Sequence, residues 1–138
     1  MKRFIPFLTL VVLFGCLQPD APPTPPVDPP SPAPVESGLK VLILYESQTE
    51  DFHRLPQSQI LMLQSAKLRK RLGELKADWR IWDKDTDVTR ESEFWQKAIK
   101  LPYESLPWIW VTNGSKGVNG KAPLTEAETI ELIERYAK

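Results

Sequence analysis

The chain is 138 residues long, and its 18 Lys and Arg balance 18 Asp and Glu, so the formal net charge is zero. A neutral chain lacks the basic field that a nucleic-acid partner requires, and no long run of like charge marks a disordered tail. There is one cysteine, Cys16, and a lone thiol rules out an intramolecular disulfide, a CxxC redox pair and a cysteine-rich zinc site.

Met1, Lys2 and Arg3 make a basic start, and residues 4–14 are apolar apart from Pro6 and Thr9. A bilayer span needs about 20 apolar residues, so this shorter run reads as a signal peptide over residues 1–15. It ends in Leu13, Phe14, Gly15 and Cys16, which resembles the lipobox of bacterial lipoproteins. Leu13, Gly15 and Cys16 match that pattern, and Phe14 is bulkier than is usual at its position. The resemblance implies a diacylglyceryl thioether on Cys16 and cleavage just before it. One acyl chain holds a protein only marginally, at about 0.8 kcal/mol per buried CH₂, whereas two anchor it stably. The expected location is therefore the extracytoplasmic side of the cell envelope, with the membrane reached through Cys16. Leu17, in place of the Asp linked to inner-membrane retention, favours the periplasmic face of the outer membrane in a cell with two membranes.

Residues 16–38 form the next unit. From Pro19 to Pro34, nine of the sixteen residues are proline. Proline fixes φ and removes the amide donor, which excludes helix and central strand. Such a segment extends as polyproline II at about 3.1 Å per residue, and twenty-odd residues reach about 60 Å. It reads as a spacer, with a ligand for a proline-binding groove as the alternative.

Residues 39–138 are the size of one domain with its own core. Val41, Leu42, Ile43 and Leu44 form a continuous apolar run, the pattern of a strand buried on both faces. A polar loop follows over residues 46–54. Pro56 suits the start of a long helix, along which Ile60, Leu61, Leu68, Leu72 and Leu75 recur at helical spacing. Lys67, Arg69, Lys70 and Arg71 fall between them as a solvated basic face. Residues 79–82 predict a second strand, parallel to the first by a crossover. Thr89 is placed to cap a second helix buried through Phe94, Trp95, Ala98 and Ile99, with Pro102 ending it. Residues 107–112 predict a third strand, Asn113 and Gly114 a turn, and residues 116–121 a short fourth strand. Thr125 and Glu128 make a capping box for a last helix, turned inward through Ile130, Ile133 and Tyr136 or Ala137.

The order β-α-β-α-β-β-α, the Leu106-Pro107 step opening the third strand, the Asn113-Gly114 turn and the capped final helix together resemble the thioredoxin fold. The resemblance implies an α/β domain with a four-stranded mixed sheet in the order 2-1-3-4 and helices on both faces. It also implies a cis bond at Pro107. It does not carry the family's redox chemistry. Where thioredoxins place CxxC, this chain reads Ser47, Gln48, Thr49, Glu50, Asp51, Phe52, His53 and Arg54, and disulfide exchange needs an attacking thiolate. A peroxidatic cysteine is missing for the same reason.

The first functional reading is a binding or scaffold module for another envelope protein or an extended peptide, with no cofactor and no metal. Its contact loop would be Ser47, Gln48, Glu50, Asp51, His53 and Arg54, beside the edge at Leu106 and Pro107. The second is a non-redox enzyme or metal site centred on His53, Asp51 and Glu50, since histidine titrates near neutral pH. The third is glycan binding by exposed tryptophan, for which Trp79 and Trp95, near element ends, are the candidates. Asp83, Asp85 and Asp87 alternate like the start of a calcium loop, but Val88 and Phe94 stand where that motif needs Gly and Glu.

Overall fold

A computed structural model describes residues 33–138. The expected signal peptide, Cys16 and the tether as far as Pro32 lie outside the described residues. The sheet is built from β1 (Lys40–Tyr45), β2 (Asp78–Asp83), β3 (Trp108–Thr112) and β4 (Gly117–Lys121). Its order is β2-β1-β3-β4. β1 pairs with β2 in parallel, with Leu42 opposite Arg80, and with β3 antiparallel, with Leu42 opposite Trp110. β4 returns antiparallel to β3. The domain is thus α/β with a mixed sheet in the 2-1-3-4 order.

β1 lies inside because both of its faces are apolar. Val41, Leu42, Ile43 and Leu44 are fully buried, and successive side chains of a strand point to opposite faces. Val41 and Ile43 pack with Met62, Leu68, Leu72 and Ile133. Leu42 and Leu44 pack with Phe94, Trp95 and Ala98. The first cluster draws on α2 (Gln57–Gln64), α3 (Ala66–Glu74) and α5 (Glu126–Glu134), and the second on α4 (Glu93–Ala98). Helices therefore cover both faces, unequally: three lie on one and a six-residue helix on the other.

The crossover from β1 to β2 departs from the single long helix expected. It contains a short α1 (Glu50–His53), then α2 and α3. The break falls at Ser65, whose extended backbone (φ −61°, ψ 119°) ends α2 and caps α3. Its Oγ accepts from the Leu68 amide at 2.9 Å and donates to the Glu126 carboxylate. Arg69 donates to the carbonyls of Ser65 and Leu63, both at 3.0 Å, and so satisfies the end of α2. Lys67 and Lys70 are exposed as the pattern predicts, while Arg69 and Arg71 are half-buried. Arg71 pairs with Glu134 at 2.7 Å and Lys67 with Glu126 at 3.1 Å, which ties α3 to α5. Buried Gln59 donates to the carbonyls of Ala122 and Pro123 at 3.0 and 3.2 Å.

α4 begins later than Thr89. The Asp87 carboxylate accepts from the Thr89 amide at 3.0 Å and holds it in a turn, so Ser92 becomes the N-cap. The final helix starts with a complete capping box of Thr125 and Glu128. Among the described residues, no helix is long and apolar enough to cross a membrane.

Candidate functional site

The loop of residues 47–54 and the start of β3 meet at one pole of the sheet, where β1 and β2 end. The parallel register sets Tyr45 opposite Asp83, so the residues that follow each strand come together. The Ser47 amide and hydroxyl donate to Asp83 Oδ2 at 2.8 and 2.5 Å, and the Asp85 amide donates to Oδ1 at 2.9 Å. Burial pushes the Asp83 carboxyl up, but these donors outweigh it and hold the group below its ordinary value. The Lys84 ammonium bridges Asp85 at 2.6 Å and Glu46 at 2.9 Å. Hydrogen bonds to Asp85 and Glu46 raise its pKa above the usual lysine value.

Glu46, Asp83 and Asp85 bring carboxylate oxygens within 4.8 Å of one another. That is a donor set a cation could use, yet Lys84 already supplies the positive charge. Asp87 stands apart, turned to the Thr89 amide, so the alternating aspartates do not form one ligand sphere.

Phe52 anchors the loop. Its ring packs on Tyr45 with centroids 6.0 Å apart. With Glu46, Asp51, Leu55, Leu106 and Pro107 it lines a small hollow of about 40 Å³. The Leu106-Pro107 bond on its far wall is cis. A liquid water molecule occupies about 30 Å³, so the hollow is a dimple with an apolar floor and could not enclose a substrate.

The expected contact residues form its rim. Ser47, Gln48, Glu50, Asp51, His53 and Arg54 are all exposed. Arg54 reaches Glu50 at 3.4 Å and Asp51 at 3.5 Å, with the acidic side chains 90% and 82% exposed. Ion pairs this open contribute little, because water screens them. The set His53, Asp51 and Glu50 is not drawn together. Asp51 reaches the hollow, both acids turn to Arg54, and the His53 ring stands edge-on to Phe52 at 6.0 Å. Such a rim can recognise a surface by shape, hydrogen bonds and mixed charge.

The tryptophans do not make a platform. Trp95, Trp108 and Trp110 are 1%, 3% and 5% exposed. Trp79 and Trp82 are half-buried on β2. The expectation that Trp95 shows a face is overturned, because its ring is clamped between Phe94, Trp82 and the Arg80 guanidinium.

Sequence reasoning missed Glu46, Phe52, Leu55, Asp83 and Lys84 as parts of this pole. The one local signal was Phe52, an aromatic residue inside a polar loop. The rest depends on the pairing of β1 with β2. No protein-family model, curated protein or solved structure gives a significant match to this chain.

Proposed function

We propose that this chain is a lipid-anchored, extracytoplasmic lipoprotein whose thioredoxin-like, redox-inactive domain binds another envelope protein or an extended peptide. The observation that carries the binding reading is the meeting of residues 47–54 with Leu106 and Pro107 around an apolar floor rimmed by exposed polar groups. The lipobox-like residues at Cys16 support the anchor, and the proline-rich segment behind it supports a domain held off the membrane.

A standard protein interface covers about 800 Å² on each partner. The dimple is far smaller, so the partner also covers the loop of residues 103–106 beside it, where Tyr103 is 39% exposed. Charge reversal on the rim, Asp51→Lys with Arg54→Glu, changes side chains that are 82% and 73% exposed and leaves the fold intact. Capture of envelope proteins by the wild type and by this variant tests the reading. The expected result is one partner lost with the variant; a partner retained by both, or none, counts against it. Incorporation of a labelled lipid precursor tests the anchor separately. Cys16→Ser should abolish the label, and undiminished labelling would remove the lipoprotein assignment.

A further inference from the structure

Among the described residues β4 is the last strand of the sheet, and its outer edge is open. The Asn113 amide donates to the Lys116 carbonyl at 3.0 Å, and the Ala122 amide to the Pro107 carbonyl at 2.8 Å. In an antiparallel pair the backbone groups face the partner at every second residue. Val118 and Gly120 therefore turn their amides and carbonyls to β3. Gly117, Asn119 and Lys121 turn theirs away from it, and all three residues are exposed. The outer edge of β4 thus presents a row of donors and acceptors to another strand.

The side chains along this edge alternate between large and absent. Gly117, Asn119 and Lys121 stand on the face that carries α4, and Val118 and Gly120 stand on the other, beside Val111 and Ile109. Gly117 has a reason inside the domain, since a Cβ there would lie 2.9 Å from the Val111 carbonyl oxygen. Gly120 has none, since a Cβ there would meet nothing within 4 Å. A glycine inside a strand weakens it and often marks the close approach of another backbone.

We propose that β4 pairs antiparallel with β4 of a second copy of this chain, about a two-fold axis at Asn119, so that the two four-stranded sheets become one. The edge is its own complement in this register. Asn119 meets Asn119, Gly117 meets Lys121 and Val118 meets Gly120. Outward-facing residues meet outward-facing residues, so every free amide finds a carbonyl. Each large side chain meets a glycine: Val118 lies over the open space at Gly120, and Lys121 lies over a hollow of about 410 Å³ that Gly117, Val118 and Asn119 help to line. This match repeats on both sides of the axis, as an isologous interface requires, and an unrelated strand would not share it. No lysine stands directly opposite another, the arrangement that destabilises a pair. Lys116 and Lys121 of both copies still gather along the seam, and five residues cover less than the about 800 Å² per partner of a standard interface. The dimer is therefore weak, and it is favoured by high concentration and by salt, which screens the lysines. It does not depend on lipidation or on the partner at the pole.

The test uses the full chain with Cys16→Ser, so that no disulfide joins two copies, in density-matched detergent micelles at high salt. Sedimentation equilibrium should show monomer passing to dimer as concentration rises. Over the same range, hydrogen exchange read from nitrogen-15 spectra should slow at the amides of Gly117, Asn119 and Lys121, with Val118 and Gly120 unchanged. Asn119→Pro removes an outward donor and no bond to β3, and Gly120→Ile fills a space that the domain leaves empty; each should lose the dimer. Exchange at the three outward amides that is independent of concentration would overturn the proposal, and so would a dimer that survives both variants. Protection already complete at the lowest concentration would overturn it too, by placing another segment of the same copy on the edge. Protection gained only on adding polyglutamate would overturn it in favour of an acidic strand from another protein.

Discussion

Trp95→Ala separates a structural tryptophan from a binding one. The indole is 1% exposed. It stands edge-on to Phe94 at 5.0 Å and to Trp82 at 6.0 Å, with the Arg80 guanidinium 4.9 Å from its ring. Emptying such a site costs about 3–5 kcal/mol in transfer and cavity terms. The aromatic pairs and the cation–π contact place it in the upper half of that range. α4 has only six residues and buries Phe94, Trp95 and Ala98, so little else holds it to the sheet. A domain of this size has about 5–15 kcal/mol in total, and the loss takes a third or more of it. With a urea m-value of about 1–3 kcal/mol/M, the unfolding midpoint falls by about 1.3–5 M. Far-UV circular dichroism through a urea titration reads this directly, with Trp95→Phe as a milder control. A midpoint shift below about 0.5 M would refute the packing account, because a ring that costs nothing to remove is free to serve a ligand.

The two glycines of opposite environment give opposite signs. Gly114 has φ +88° and backbone 2.6 Å from its missing Cβ, so Gly114→Ala lowers the melting temperature; Gly73 sits in α3 with nothing within 4 Å, so Gly73→Ala raises it by a few degrees. Equal shifts in scanning calorimetry would contradict both assignments. Ser65→Ala removes the cap of α3 and its link to Glu126, at a cost of about 1 kcal/mol in urea unfolding; an unchanged midpoint would mean the break is not held by this side chain. Because the folded Asp83 carboxyl lies below its ordinary value, its stabilisation is complete above the unfolded pKa of about 3.9 and is lost as pH falls through the folded value. Asp83→Asn should therefore lose less stability than the wild type between pH 5 and pH 2, and parallel profiles would remove Asp83 as a contributor.

The strands were legible because their signals are local. Residues 41–44 are apolar without interruption, and residues 108–111 alternate aromatic and aliphatic side chains. The pairing order followed from the resemblance those runs share with a known topology. The helix break was hidden because Ile60, Leu61, Leu68 and Leu72 keep helical spacing across Ser65, while the Glu126 that receives its hydroxyl lies 61 residues away. The late start of α4 was hidden by competition between two capping residues, which the Asp87 side chain decides. At the candidate site, the exposed rim was read from its polar sequence. The half-buried supports at Glu46, Asp83 and Lys84 were not, since a parallel pairing 38 residues apart brings Tyr45 and Asp83 together.

The central claim is that the pole formed by residues 47–54 and Leu106 meets a protein partner in the envelope. A photoreactive amino acid placed at Gln48, in cells making the full-length protein, tests it most directly. The account predicts a discrete adduct from Gln48 and none of the same mass from Lys70, on the α3 surface. Identical adducts from both positions, or none from Gln48, would contradict it.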